Sequence, residues 1–166
     1  MKNSITLMAQ YNVWATNRLC QALEPLSAEE WQHDLGLFFT SVCGTLNHLL
    51  VGEHHLWYPR FAHGNSPVLP LNTVLHTDKN QLLDALQTNA PRWLTWLAEQ
   101  PETLPEQLSY RTASGQPVTL PYAPTLMHVF NHGTHHRGQV SAALSQLGYP
   151  SPELDLVYQL VEQCTP

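Results

Sequence analysis

Two histidines four residues apart, His132 and His136, lie in the string Met127-His-Val-Phe-Asn-His-Gly-Thr-His-His-Arg-Gly-Gln139. On an α-helix, side chains at i and i+4 share a face, so these two imidazoles can converge on one divalent ion. Val129, Gly133 and Val140 fall on the same stripe, which turns the pair toward a protein interior. Imidazoles buried there need polar partners or a metal. No glutamate follows His132, so the general base of the H-E-x-x-H zinc proteases is missing. His128 continues the series, but two such steps span about 12 Å, too far for one ion to bridge His128 and His136. His135 points about 100° away from His136 and belongs to the exposed face or to a supporting role.

A third nitrogen must come from another helix. The chain offers many candidates, with ten histidines in 166 residues. His48, His54 and His55 fall on the second helix expected below, and His33, His63 and His76 in less regular stretches. His48 sits between Leu46 and Leu49-Leu50, with Gly44 and Gly52 a turn to either side. Small residues there leave room around a ligand or let helices approach closely. His54 and His55 stand near a helix end, where solvent and the helix dipole act on them. Spacing alone does not choose among these histidines.

The elements that must position them are helices. Residues 3–24 carry Leu7, Met8, Tyr11, Trp14, Ala15, Leu19, Ala22 and Leu23 at helical spacing, and Pro25 ends the run. Ser27 to Glu30 reads as a capping box opening a short helical turn. A second helix is predicted over 40–58, stopped by Pro59, and 60–75 as a loop. A third runs over 78–99, capped by Asp78 and kinked by Pro91. In the connection 100–122, Leu108–Thr112 and Val118–Leu120 flank Ala-Ser-Gly-Gln-Pro and predict a small β-hairpin. The fourth helix, 124–147, carries the histidine pair and ends at Gly148. Ser151-Pro152 reads as the N-cap and first turn of a last helix reaching about 163. The expected fold class is all-α: a four-helix bundle with short extra helices and a small hairpin, as one domain over 1–166.

Composition excludes several classes. Hydrophobic residues make up 43% and charged residues 12%, which is the opposite of a disordered chain. Seven Lys+Arg against 13 Asp+Glu give a net charge of −6, and no basic stripe offers a footprint for nucleic acid. No apolar run approaches the roughly 20 residues that span a bilayer, and no signal peptide opens the chain. Cys20, Cys43 and Cys164 form neither a C-x-x-C pair nor a disulfide framework. A reducing cytoplasmic setting, with buried thiols, fits them.

Several strings resemble the DinB-like/YfiT-like superfamily of small metal-binding proteins, which is distinct from the DNA polymerase that shares the DinB name. They are Tyr11-Asn-Val-Trp-Ala-Thr-Asn17, Asn47-His48-Leu-Leu, Asn131-His132-Gly-Thr-His-His136-Arg-Gly-Gln139 and Leu147-Gly-Tyr-Pro-Ser-Pro-Glu-Leu-Asp155. The resemblance covers about 5–160. It implies a four-helix bundle, commonly a homodimer, that holds one divalent metal ion on His48, His132 and His136. It also selects His136 over His135.

Three neutral imidazoles would leave the ion its +2 charge and an open fourth position, as catalytic sites do. Such an ion lowers the pKa of bound water toward ~7 or binds a thiol as thiolate. Zn²⁺ or Ni²⁺ suits three nitrogens, and ligand type also admits Fe²⁺ or Mn²⁺. Two enzymatic readings follow for a small-molecule substrate: hydrolysis, or transfer or isomerisation with a low-molecular-weight thiol as cosubstrate. The alternative is a non-catalytic metal- or stress-responsive binding protein, closed by a fourth ligand from His128, His55 or Glu53. Candidate bases are Glu53, Asp34, Asp155 and Tyr58, none singled out, and Arg137 reads as a helix-surface or dimer-contact charge, with contact to a substrate anion as the alternative.

Overall fold

The computed structural model describes residues 1–112 and 114–164. Its frame is a bundle of four helical rods, one for each long apolar stripe. The first rod is α1 (Lys2–Leu23), which buries Ile5, Ala9, Ala15, Leu19 and Leu23. Next comes α2 (Ala28–Gln32), opened by the expected capping box between Ser27 and Glu30.

The second rod differs from expectation. It starts as α3 (Val42–Leu50), where Ser41 Oγ accepts from the Gly44 N–H at 3.0 Å. It widens into a π-helical segment (Val51–Trp57) and returns to α geometry in α4 (Tyr58–His63). Pro59 does not stop it. The rod is already widened just ahead of Pro59, where the Tyr58 N–H reaches back five residues to the Glu53 carbonyl, and the proline, which lacks an N–H, sits at the passage from this π turn to α4. The stop is Gly64, at φ 64°, whose N–H reaches the Pro59 carbonyl.

The third rod is split rather than kinked. Asp78 caps α5 (Lys79–Asn89) by accepting from Gln81 N–H at 2.9 Å, and α6 (Arg92–Glu99) follows Pro91. The proline has no N–H to continue the ladder and its ring crowds the preceding turn. The hairpin forms from β1 (Gln107–Arg111) and β2 (Pro117–Pro121), antiparallel with Leu108 opposite Leu120. Ala113 of its turn lies outside the described residues.

The fourth rod, α7 (Tyr122–Gln146), packs along α1 and against α3. Gly148 follows it at φ 85°. Ser151-Pro152 does not open the last helix, because α8 (Leu156–Cys164) starts later. Tertiary bonds hold the intervening segment instead: Tyr11 Oη donates to the Leu154 carbonyl at 2.6 Å, and Tyr149 Oη donates to the Glu30 carboxylate at 3.0 Å.

Two apolar clusters fill the bundle. One gathers Leu19, Leu23, Leu46, Leu50, Leu82, Leu86, Val140 and Leu144. The other gathers Ile5, Ala9, Phe61, Trp93, Leu97, Leu126, Val129 and Phe130. Along each rod buried polar or irregular residues lie between the two sets. They are Asn12 and Thr16 on α1, Glu53 and His54 in the π segment, Pro91 between α5 and α6, and Gly133 and Arg137 on α7. No helix among the described residues is long and apolar enough to cross a membrane.

Candidate metal centre

His48 comes from α3, and His132 and His136 from α7. Each offers one ring nitrogen, and the three nitrogens lie within 4.8 Å of one another. His48 Nε2 is 3.0 Å from His132 Nε2, and His136 Nε2 is 3.1 Å from the same atom. Nitrogens bound tetrahedrally to an ion at about 2.0–2.1 Å stand about 3.3 Å apart, so the observed spacing is close to that of a coordination shell.

Hydrogen bonds on the far sides of two rings fix which nitrogens face inward. His48 Nδ1 lies 2.9 Å from the Leu71 carbonyl, which can only accept, so Nδ1 carries the proton. His136 Nδ1 donates to Gln139 Oε1 at 2.7 Å, while the Gln139 amide donates to His135 at 3.3 Å. Both inner Nε2 atoms are then bare lone pairs aimed at His132. Its own Nε2 can offer at most one proton to two acceptors, and its Nδ1 is buried without a partner among the described residues. A cation resolves this convergence of lone pairs, so the residues fit a metal.

The rings are also held neutral. Burial lowers the His48 pKa, and burial together with the neighbouring imidazoles pushes His132 down to about 3. His136 is pushed down to about 4, again mainly by burial. Ligation requires the neutral form.

Phe39 was not singled out by spacing, yet it flanks the cluster. Its ring stacks on His48 at 3.9 Å between centroids, tilted 17°, and meets His136 edge-on at 5.8 Å. Gly44 makes this approach feasible, since a Cβ there would lie 2.0 Å from the Phe39 carbonyl oxygen. Its small size makes room for backbone rather than for a ligand. Asn47 is a second unforeseen contributor. Its Oδ1 accepts from the Leu75 and His76 N–H groups at 2.7 and 3.0 Å, and its Nδ2 donates to the His76 carbonyl at 2.8 Å. That anchors the connection that supplies the Leu71 carbonyl. The Asn47-His48 dipeptide is the signal that could have revealed it.

The remaining histidines offer no nitrogen to this group, although the His128 and His135 rings lie beside His132 and His136. His54 is buried rather than solvated, with its pKa pushed down to about 3 by burial, and its Nε2 is 3.6 Å from Glu53 Oε2. At that pKa the ring is neutral, so the contact is no ion pair. His55, His63, His128 and His135 are exposed, as is His33, and His76 is half-buried. Neither His55, His128 nor Glu53 joins the three-histidine group, so none of the expected closing ligands closes it.

Arg137 is not a surface charge, being only 2% exposed. Its Nη1 donates to Asn12 Oδ1 at 2.6 Å, and Asn12 Nδ2 donates to Glu53 Oε2 at 2.9 Å. Glu53 is thus engaged inside the bundle. Burial raises its pKa, opposed by the Arg137 charge and the Asn12 bond. A Cβ at Gly133 would lie 2.5 Å from Glu53 Oε1 and 2.9 Å from both Arg137 Nη1 and Asn12 Oδ1. Glycine leaves the space in which the three meet. The candidate bases Asp34 and Asp155 also lie outside the histidine group, and Tyr58 packs against Trp93 and His63.

The thiols add nothing to it. Cys20 is buried with its pKa pushed up to about 12, and burial also raises that of Cys43. Cys164 is exposed.

Comparison with known proteins agrees with this geometry. Protein DinB of Bacillus subtilis (strain 168) is 28% identical over 152 residues, spanning 88% of this chain and 87% of that protein. A sequence model described as the DinB family matches residues 1–163. Family membership and the close histidine triad together fit metal binding, and the chain belongs to the DinB family.

Proposed function

We propose that His48, His132 and His136 hold one divalent cation, Zn²⁺ or Ni²⁺ by preference, with a fourth position open to small molecules. On this reading the protein is a metal-dependent enzyme that works with a low-molecular-weight thiol in transfer or isomerisation. The observation that carries it is the histidine triad: three inward-facing imidazoles held neutral, with no fourth candidate ligand in the group among the described residues. The bound cation would supply Lewis acidity to whatever displaceable group takes the fourth position.

The chain's own residues do the rest. The Leu71 carbonyl and Gln139 Oε1 hold the His48 and His136 tautomers, and Phe39 covers the face of His48 while meeting His136 edge-on. Among the described residues no carboxylate belongs to the group, so a nucleophile with a low intrinsic pKa is favoured over water, which hydrolases of this kind activate with a glutamate. A thiol near 8.5 satisfies that need, and it comes from solution because Cys20 and Cys43 are buried and raised in pKa. We propose further that the chain is one domain over 1–166, works as a homodimer and resides in the cytoplasm.

The test is a screen of metal-loaded protein with several small thiols against electrophilic acceptors, beside ester and amide substrates. Turnover that needs both metal and thiol is the expected result. Ester or amide cleavage without thiol would move the reading to hydrolysis. A fourth protein ligand found by metal-edge spectroscopy would contradict catalysis altogether.

A further inference from the structure

Arg60, in α4, is 7% exposed. Among the described residues no group accepts a hydrogen bond from its guanidinium, no carboxylate pairs with it, and its Nε is fully buried without a partner. The other arginines differ. Arg18 pairs with Glu162, Arg92 donates to Asn89, Arg111 to the Gly115 carbonyl, and Arg137 to Asn12. Burying a cation is costly unless it is paired and hydrogen-bonded. Burial accordingly lowers the Arg60 pKa.

What Arg60 does have is aromatic. Its Cζ lies 4.6 Å from the Trp57 ring centre and 4.5 Å from that of Tyr110. Such contacts set the cation over the faces of the two rings. They give its planar fork of N–H donors, which is matched to two oxygens, no acceptor. The clamp also points somewhere. The Trp57 ring meets His128 at 5.6 Å, and His128 meets His132 at 5.6 Å. A wall of rings therefore runs from Arg60 to the histidine group.

We propose that Arg60 is an anion-binding residue, and that it takes the carboxylate or phosphate of a small molecule whose other end reaches the metal centre. The anion site stands on Arg60 and its clamp. The placement of the other end rests on the function proposed above. An anionic thiol or acceptor is thus the favoured ligand class.

Anion binding is tested by following arginine Nε–H signals by NMR in zinc-loaded protein. Succinate and methyl phosphate are titrated to about 50 mM, a range that covers weak small-anion sites, with succinamide and matched sodium chloride as controls. The Arg60 signal, assigned by its loss in Arg60→Lys, should shift saturably with either anion and with neither control. A response limited to one anion identifies the class. An unmoved signal, or an equal response from exposed Arg111, would overturn the site, and the titration itself is read on the wild-type protein.

A second arm uses cobalt-loaded protein and the thiolate absorption band. A long ω-mercaptocarboxylate, 11-mercaptoundecanoate, whose chain can span the ring path from the metal to Arg60, should bind about tenfold more tightly than 11-mercaptoundecanol, a difference of about 1.4 kcal/mol. Arg60→Met should erase the difference while metal content is kept. Equal affinities in the wild type would refute the shared ligand. Anion shifts at Arg60 with no thiolate band from either thiol would instead leave the anion site standing and count against the thiol reading.

Discussion

His48 Nε2 and His132 Nε2 face each other at 3.0 Å across the gap between α3 and α7, while the far nitrogen of His48 is committed to the Leu71 carbonyl. The outer bond dictates the inner lone pair. Metal content is therefore expected to be about one ion per chain, and His48→Ala and His136→Ala should each lose it. Elemental analysis finding wild-type stoichiometry in both variants would refute the three-histidine model.

Gln139 does for His136 what Leu71 does for His48, but through a side chain that can be replaced. Partners of this kind typically tune metal affinity by about 10- to 100-fold. Gln139→Ala should weaken binding by that order in a chelator competition, with helix content unchanged. An unaltered affinity would mean that the His136 ring is held by its packing alone.

Saturating metal should raise the melting temperature. Binding to the native state at a free concentration 100 times Kd adds about 2.7 kcal/mol. Coincident melting curves with metal and with chelator would show that the ion does not bind the folded form selectively.

The metal-free protein should lose stability in acid before its carboxylates titrate. His54 and His132 have folded pKa values of about 3 and His136 of about 4, all below the unfolded value near 6.5. Above about 6.5 both states are neutral and the contribution is complete. As pH falls toward 4, the unfolded chain takes up protons that the folded one refuses, so stability drops. His54, buried throughout, accounts for up to about 1.4 kcal/mol per pH unit in this window. Urea midpoints at pH 7.5 and pH 5 measure the slope, and His54→Gln should flatten it by about one proton. Equal midpoints at the two pH values would contradict this.

Gly133→Ala should be severe for a helix substitution that normally favours alanine. The new methyl would lie 2.5 Å from Glu53 Oε1, forcing apart a buried charged cluster whose disruption costs about 3 kcal/mol. A denaturation curve shifted by less than about 0.5 kcal/mol, the scale of an ordinary surface change, would show that the cluster relaxes freely.

The sequence was most legible where one chain segment carries the whole signal. The stripe on α7 located the His132/His136 pair, and the capping boxes and the hairpin were read from local spacing. It was least legible where distant segments meet. Nothing in the run from Gly44 to Trp57 announces the π segment, since Leu46, Leu49, Leu50 and Leu56 also satisfy an α pattern. Pro59 was read as a stop because a change of helical geometry ahead of it is invisible in one dimension. Arg137 looked like a surface charge because its partner, Asn12, lies 125 residues away. His48 could be chosen from ten histidines only by family resemblance, as the Leu71 carbonyl that orients it belongs to a loop without a pattern.

The Asn12–Glu53–Arg137 cluster draws one side chain from each of three rods and lies between two purely apolar clusters. Leucine-rich surfaces tolerate sliding, because one apolar turn packs against another almost as well as its neighbour does. A cluster of complementary polar groups is satisfied at a single axial offset. It therefore works as an alignment key. The same offset that joins Asn12 to Glu53 and Arg137 brings His48 level with His132 and His136, so a bundle that slipped by one turn would forfeit its key and its histidine triad together.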